Sequence, residues 1–434
     1  MKALRFNQDA TCCVVNPEPH LVSIYNCDPF GKCFELDGRG KNQSIDNLAQ
    51  YPVGISSSSF DGENEYVIEM LFSTSLVAIA DRSQGTSNSK KLKIINTKRK
   101  CTICEVSFPH GIVDVVMNRK RMCILLESDQ IFVYDISCMK PLETIDLWED
   151  HFKKTSSDSN EPKKAKSQVT DSRSRTNSVG SSTRPRMALS SDDRSILCFT
   201  SYSSSKNNSS SYLLNDIVIY DTLNVAPINY MNTAHKGNIA CMAISNDGKT
   251  IATASDKGTI VRVFNTGVDT EYDSRKPLLY EFRRGTRPCN LYYLCFNRKA
   301  SLLGCVGNTD TIHIFSLKED IGNYDAINSE FYDEEEDLSQ SNNGNGLRDR
   351  KSPTDTSNHF TKFISRGIKA TIPKQNLRRD YAHIPVLLGT TYCLGFPDEF
   401  VNQVYLAGDD GKFLVYSLPS TPGECVLTKS NTFI

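Results

Sequence analysis

Short apolar runs recur along the whole chain and are separated by polar turns. One five-residue phrase returns seven times: an apolar residue, a variable residue, a second apolar residue, an aromatic residue or Ile, and then Asn, Asp or Ser. The alternation and the many β-branched residues predict β-strands, and the Asp, Lys and Gly residues between the runs predict hairpin turns. The copies lie at residues 22–26, 92–96, 131–135, 217–221, 261–265, 312–316 and 413–417.

The spacing of these copies predicts the architecture. Tyr220 and Phe264, in two adjacent copies, are 44 residues apart, which is the length of a four-stranded propeller blade. A pair of β-sandwiches would also give short strands and turns, but it would not give one phrase at one period. The sequence therefore predicts an all-β protein: a single seven-bladed β-propeller of the WD40 kind over residues 1–434.

Three stretches differ from the remainder in composition. Residues 37–62 are rich in Gly, Asn, Ser and Asp, residues 149–185 are rich in Ser and basic residues, and residues 318–380 are first acidic and then basic. Such segments bury too little apolar surface to offset the entropy of ordering the chain. We therefore expect disordered insertions between the strands of the propeller.

Composition also argues against several classes of protein. The 50 basic and 51 acidic side chains give a net charge of −1, whereas nucleic-acid binders usually carry a basic excess. We find no apolar run long enough to span a membrane, and because the first residues lack a long apolar core we expect no secretory signal. The fifteen scattered cysteines are typical of a reduced, cytoplasmic protein. We find no catalytic motif and a single CxxC pair, so we predict no enzymatic activity, no metal and no cofactor.

Two adjacent copies of the phrase differ from the others at the variable position. They place Arg262 and His313 there, and the sequence between them contains Phe282, Arg283, Arg284 and Gly285 in succession. Neighbouring side chains on a strand point to opposite faces, so we expect Arg283 to serve the fifth blade and Arg284 the sixth. Arginine forks together with hydroxyl groups suit the bidentate binding of phosphate.

We therefore predict two phosphate pockets on one edge of the propeller, with Asp256 and Asp310 as the carboxylates nearby. The alternative is that this basic rim makes salt bridges and that the protein is an adaptor for acidic or phosphorylated proteins. The first pocket comprises His235, Asn238, Ser255, Lys257, Thr259, Arg262 and Arg283. The second pocket comprises Arg284, Thr286, Arg287, Thr309, Thr311 and His313.

At the Phe-Arg-Arg-Gly motif the chain resembles the PROPPINs, a family of phosphoinositide-binding β-propellers that are called WIPI proteins in animals. The resemblance extends over the whole chain. It implies binding of phosphatidylinositol 3-phosphate and 3,5-bisphosphate through two sites that flank Arg283 and Arg284. It also implies a role in autophagy and in cytoplasm-to-vacuole targeting, at the phagophore assembly site and on endosome and vacuole membranes.

The long insertion contains a predicted membrane-contacting helix. Its apolar residues cover about half of the helical circumference, and Lys362, Arg366 and Lys369 lie opposite to them, as in helices that lie in a membrane interface. The resemblance implies the same role for this loop of the sixth blade, and packing against the propeller is the alternative. The apolar residues are Phe360, Phe363, Ile364 and Ile368.

A second candidate surface lies in the third blade. Arg119, Lys120 and Arg121 form a basic turn after a strand that contains Asp114. Such a turn is either simply solvated or binds an acidic helix, with Arg119 as the anchor. The resemblance implies recruitment of the coiled-coil autophagy-related protein 16 through Arg119 and Asp114.

Overall fold

The computed structural model describes residues 2–18, 21–37, 66–82, 87–148, 184–204, 212–268, 277–317 and 377–433. The chain divides into two units, one formed by residues 1–317 with 378–434 and the other by residues 318–377. The first unit contains all the strands described here. The predicted membrane helix at Phe360, Phe363, Ile364 and Ile368 lies outside the described residues.

The first four sheets have four strands each, in chain order. The first contains β1 to β4, at Lys2–Phe6, Cys12–Asn16, Leu21–Asn26 and Gly31–Asp37. The second contains β5 to β8, at Tyr66–Met70, Leu76–Asp81, Lys91–Asn96 and Cys101–Ser107. The third contains β9 to β12, at Ile112–Met117, Arg121–Leu126, Gln130–Asp135 and Lys140–Asp146. The fourth contains β13 to β16, at Met187–Leu189, Ile196–Ser204, Tyr212–Asp221 and Ala226–Met231.

The remaining three sheets follow the same order. The fifth contains β17 to β20, at Ile239–Ile244, Thr250–Ser255, Ile260–Asn265 and Leu278–Arg283. The sixth contains β21 to β24, at Leu291–Phe296, Leu302–Gly307, Thr311–Ser316 and Ala382–Pro385. The seventh contains β25 to β27 and β29, at Tyr392–Gly395, Gln403–Gly408, Lys412–Ser417 and Val426–Thr432, and the short β28 at Gly423–Glu424 pairs with β24.

The first strands of the seven sheets form a closed ring around a central channel. Each of them contacts the first strand of both neighbouring sheets, from β1 through β5, β9, β13, β17, β21 and β25 back to β1. Side chains from all seven line the channel. The predicted seven-bladed, all-β propeller is confirmed, and the recurring phrase is the third strand of every blade.

The phrase has its form because both faces of each blade are buried. In β19, Val263 packs into the core between blades five and six, while the next residue, Phe264, packs into the core between blades four and five. Consecutive side chains on a strand point in opposite directions, so a sheet between two neighbours needs two apolar residues in succession. The variable position faces the side chain opposite it on the fourth strand, as Arg262 faces Glu281.

A polar network inside the channel joins the first three blades. Arg5 on β1 forms an ion pair with Glu69 on β5, and its Nη2 lies 3.3 Å from Asp114 Oδ1 on β9. Burial raises the pKa of Glu69 to about 7, and the nearby Arg5 opposes this rise without cancelling it. Asp114 therefore belongs to the channel, because its carboxylate faces the half-buried guanidinium of Arg5.

The end of the predicted insertion 318–380 overlaps the described residues. Arg378 already pairs in parallel with Phe282, beside the outer strand of blade five. Its backbone N–H donates to Glu281 O at 3.2 Å, and its carbonyl accepts from Arg283 N at 2.9 Å. The chain then enters blade six as β24. Residues 378–380 therefore join the outer edges of blades five and six.

Candidate functional site

The predicted first pocket lies at one end of blade five. The antiparallel pairs Ile239 with Ser255 and Ile260 with Arg283 bring the start of β17, the end of β18, the start of β19 and the end of β20 to the same end of the sheet. The turn between β18 and β19 contains Lys257, which is exposed, and Thr259, which is half-buried. The structure thus places the candidates of the first pocket at one end of one blade.

The predicted second pocket lies at the corresponding end of blade six. The connection from β20 to β21 carries Thr286 and Arg287, both exposed. This connection is held to the turn between β22 and β23, because Asn290 N donates to Asn308 Oδ1 at 2.8 Å and Asn308 N donates to Asn290 O at 3.1 Å. Thr309 lies in that turn, and Thr311 begins β23.

Arg284 is buried between these two places, with 8% of its surface exposed. Its Nε donates to Gly258 O at 2.9 Å, and its Nη2 donates to Arg287 O. Gly258 has φ +65°, and a side chain there would collide with the carbonyl of Cys289. The role of Arg284 as a phosphate ligand stays a prediction, and in this structure its side chain donates to two backbone carbonyls. Its guanidinium holds the turn that contains Lys257 against the connection that contains Arg287.

Arg283 has a different environment. It is half-buried at the end of β20, and its side chain forms no ion pair or hydrogen bond with any described residue. Four further cations near this end of blades five and six also lack such a partner within the described ranges. We call this set the cationic edge: Lys236, Lys257, Arg283, Arg287 and Arg379.

Sequence reasoning missed two members of the cationic edge. Lys236 precedes β17 and is adjacent to the predicted ligand His235. Arg379 follows Arg378, and it reaches this edge because Arg378 pairs with β20 across the long insertion. The basic composition after residue 348 was a signal, but the pairing partner of Arg378 is not encoded in any local pattern.

Arg262 and His235 support the site from inside the blade. The Arg262 guanidinium contacts Glu281 Oε1 at 2.8 Å from Nε and 2.7 Å from Nη2, and its Nη1 donates to Ala234 O at 3.0 Å. His235 is 3% exposed, and its Nε2 lies 2.9 Å from Thr253 Oγ1. Burial, followed by the neighbouring Arg262, lowers the pKa of His235 to about 4. His235 is therefore neutral near pH 7.

The prediction that only Asp256 and Asp310 supply carboxylates here is wrong. Glu281 lies directly opposite Arg262, just as Glu105 lies opposite Lys93 in blade two, where Nζ and Oε2 are 3.8 Å apart. The variable position is thus a place for cross-strand pairs. The predicted ligand Arg262 is already paired, so it is less available to a phosphate.

His313 also has an acidic partner that was not predicted. Its Nδ1 lies 3.0 Å from Asp380 Oδ2. Burial would raise the pKa of Asp380, but the hydrogen bond with His313 and the charges of His313 and His383 together outweigh burial, and the pKa is lowered. Asp380 occupies this position because the chain returns from the long insertion into blade six.

The hydroxyl and amide candidates differ in how free they are. Asn238 Oδ1 accepts from Leu214 N at 2.9 Å, so it ties blade five to blade four. Thr309 Oγ1 donates to Thr311 O at 2.9 Å, and Thr311 Oγ1 donates to Asp310 Oδ1 at 3.1 Å. Ser255 is half-buried beside the turn that contains Lys257. The hydroxyl groups near the first pocket are therefore Ser255 and Thr259.

Two of the three basic residues in the predicted turn of blade three lie at the surface. Arg119 is exposed, and its guanidinium lies 4.0 Å from the centre of the Phe72 ring, while Lys120 Nζ lies 3.9 Å from Asp193 Oδ2. Arg121 faces inward, with Nε donating to Thr222 O at 3.0 Å and Nη1 donating to Asp135 Oδ2 at 3.3 Å. Arg121 and the channel residue Asp114 are thus engaged within the propeller, and Arg119 and Lys120 remain as surface candidates.

The fold and the cationic edge together define a propeller whose rim, at two adjacent blades, presents cations that have no partner among the described residues. The PROPPIN family model matches residues 43–151 and 188–331. The chain belongs to the PROPPIN family. This is a family of autophagy propellers and not a known class of enzymes.

Individual relatives cover the entire length of the chain. Autophagy-related protein 21 of Saccharomyces cerevisiae is 52% identical, and the match covers 100% of both chains. The protein of the same name from Vanderwaltozyma polyspora is 52% identical over 99% of each chain. A solved complex of KlAtg21 with the coiled coil of AgAtg16 is similar in structure, with a TM-score of 0.67, 39% identity and coverage of 100% and 99%. Kluyveromyces lactis Hsv2, at 15% identity and a TM-score of 0.56 over 99% and 98%, supports the fold alone.

Proposed function

We propose that this PROPPIN is a phosphoinositide-binding scaffold of autophagy. It binds phosphatidylinositol 3-phosphate and 3,5-bisphosphate on a membrane and holds the coiled-coil autophagy-related protein 16 beside that membrane. The observation that supports this most directly is the cationic edge, in which five cations have no partner among the described residues. Unpaired cations are costly to hold together unless an anion binds between them.

The geometry suggests how two head groups are shared between the blades. In the first site, Arg283 and Lys257 would contact phosphate, with the hydroxyl groups of Ser255 and Thr259 completing the shell. In the second site, Arg287 would contact phosphate beside Thr286 and Thr309. Arg284 contacts neither head group in this scheme, but it orders the segments that contain Lys257 and Arg287.

Membrane association of this kind is peripheral. No helix within the described ranges is long and apolar enough to cross a membrane. We propose the phagophore assembly site, the endosome and the vacuole as the membranes concerned. We also propose that residues 1–434 form one propeller domain with the predicted insertions 37–62, 149–185 and 318–380. The last of these carries a membrane-contacting helix and returns to the propeller at residue 378.

The test is flotation of the protein with vesicles of phosphatidylcholine. One set of vesicles contains phosphatidylinositol 3-phosphate, a second contains phosphatidylinositol 3,5-bisphosphate, and matched controls contain enough phosphatidylserine to give the same surface charge. The proposal requires flotation that depends on the phosphoinositide rather than on charge alone. Equal behaviour with all vesicles would favour the alternative, an adaptor that binds acidic or phosphorylated proteins through its basic rim.

The partner surface proposed for blade three consists of Arg119 and Lys120. Its support is the solved complex in which a similar propeller binds a coiled coil. The exposed arginine in contact with an aromatic ring is typical of an interface anchor. Asp114 contributes indirectly in this proposal, through the channel network with Arg5 that orders β9.

Arg119→Glu should weaken binding of the autophagy-related protein 16 coiled coil at least ~tenfold. An arginine that the partner would cover is lost, and the new carboxylate repels an acidic helix. Isothermal titration with the isolated coiled coil measures this. Arg99→Glu, at an exposed arginine in the turn between β7 and β8, makes the same charge change and should have no effect. Normal affinity of the Arg119 variant would remove this turn from the interface.

A further inference from the structure

The two most exposed large apolar side chains of the described residues are neighbours in sequence. Leu387 is 66% exposed and Leu388 is 69% exposed. Both lie between β24 and β25, in the connection from blade six to blade seven. Isolated exposed apolar residues are ordinary, but two adjacent leucines at the tip of a turn are not explained by the core of either blade.

The two leucines are held on an ordered turn. Thr390 N donates to Leu387 O at 3.2 Å, and Gly389 has φ +90°. A hydrogen bond from the N–H of the fourth residue to the carbonyl of the first, with glycine in the left-handed region at the third, is the pattern of a type II turn. Leu388 therefore lies at the corner of a tight turn and projects from it.

This turn is fixed beside the proposed second head-group site. Val386 N donates to Asp310 O at 2.9 Å, which joins the turn to the segment between β22 and β23. The same segment is bonded on its other side to Asn290, at the end of the connection that contains Arg287. The leucine turn and the cationic edge thus lie at the same end of blade six, with one short segment between them.

The turn itself is uncharged. Residues 386–391 contain no charged side chain. Of the nearest carboxylates, Asp310 accepts from Thr311 Oγ1 at 3.1 Å and Asp410 lies 3.8 Å from Lys412 Nζ. Asp409, whose backbone N–H donates to Thr391 O at 3.0 Å, places one negative charge beside the turn. A second apolar turn contains Phe400 and Val401 and lies at the opposite end of blade seven. It directly follows the two carboxylates of Asp398 and Glu399 and is distant from the cationic edge.

We propose that the turn of Leu387 and Leu388 is a membrane anchor that enters the acyl boundary while the cationic edge binds phosphoinositide head groups. The inference rests on the function proposed above and adds a site to it. A convex aliphatic tip next to the cationic edge matches a bilayer interface, in which apolar side chains insert below anionic head groups. This anchor is part of the rigid propeller and is separate from the long insertion of blade six.

The test compares vesicle binding with binding of a soluble head group. The double variant Leu387→Asp, Leu388→Asp should bind phosphatidylinositol 3-phosphate vesicles at least ~tenfold more weakly than the unmodified protein. The reason is that binding no longer transfers two leucine side chains from water into the bilayer. Binding of soluble inositol 1,3-bisphosphate, measured by calorimetry, should be unchanged. The control pair Phe400→Asp and Val401→Asp should bind both as the unmodified protein does.

The outcomes separate the two proposals. Undiminished vesicle binding by the double leucine variant would overturn the anchor and leave the proposed function intact. Failure of the unmodified protein to bind either probe would overturn the proposed function, and the anchor with it.

A second measurement covers the case in which the double variant misfolds. The chain has one tryptophan, Trp148, which stacks on Tyr202 with ring centres 3.8 Å apart, so Trp148→Phe gives a background for a single reporter. In that background, the fluorescence of Leu388→Trp should shift to the blue and be quenched by brominated lipid acyl chains. An unshifted, unquenched reporter on bound vesicles would show that the turn stays in water, against the anchor.

Discussion

Arg283→Thr lowers the affinity for phosphatidylinositol 3-phosphate vesicles about a hundredfold in our expectation, and it leaves the stability of the propeller unchanged. The reason is that the Arg283 side chain has no partner among the described residues, so nothing in the fold depends on it. A phosphate loses a bidentate, charge-assisted contact, which contributes about 3 kcal/mol for two such hydrogen bonds. Vesicle flotation over a range of lipid concentrations measures the loss.

The control for this variant removes one positive charge elsewhere. Arg298→Thr changes an arginine that is 66% exposed and forms an ion pair with Asp398 at 2.6 Å. Arg298 lies in the turn between β21 and β22, at the end of blade six that is opposite to the cationic edge. The two variants have the same net charge, so a general electrostatic effect would weaken both equally. Equal binding by both variants would exclude the cationic edge as the lipid site.

Arg284→Thr has the second large effect, and it is an effect on folding. The buried guanidinium donates to Gly258 O and Arg287 O, and its removal leaves both carbonyls without these donors. We expect the free energy of unfolding to fall by about 2–4 kcal/mol, since a buried polar group without a partner costs about 1–3 kcal/mol. The measurement is the urea midpoint, with the slope of the transition unchanged.

Two companion variants separate this role from lipid binding. Arg287→Thr removes an exposed arginine of the same connection and should keep the stability of the unmodified protein while weakening lipid binding. Arg284→Lys keeps the charge but loses the planar fork, and we expect it to remain destabilised. If Arg284→Thr were fully stable and defective in lipid binding alone, Arg284 would be a phosphate ligand, as the sequence suggested.

The fold was predictable because its cause is local and repeated. Each third strand needs apolar residues at adjacent positions to fill the cores on both of its sides, as Val263 and Phe264 do, and this requirement appears directly in the sequence. A period of about 44 residues then predicts the blade. The packing of the blades agrees with these local patterns, so local and tertiary preferences favour the same fold.

The site was less predictable because its electrostatics depend on residues distant in sequence. Arg262 is paired with Glu281, 19 residues away, and His313 with Asp380, 67 residues away across the long insertion. Comparing the variable position among the copies identified both cations, but it could not identify their partners. The same limit applied to Arg284, whose acceptors are backbone carbonyls and leave no trace in side-chain composition.

The backbone pairing of Arg378 has a mechanical consequence. Two hydrogen bonds, one to Glu281 O and one from Arg283 N, attach the returning chain to the strand that ends at Arg283. A pulling force that reaches the propeller through the chain before residue 378 is borne first by these two bonds. Such a force therefore acts on the backbone of Arg283. The residue whose side chain is proposed to bind a head group is thus the same residue whose backbone carries tension from the long insertion.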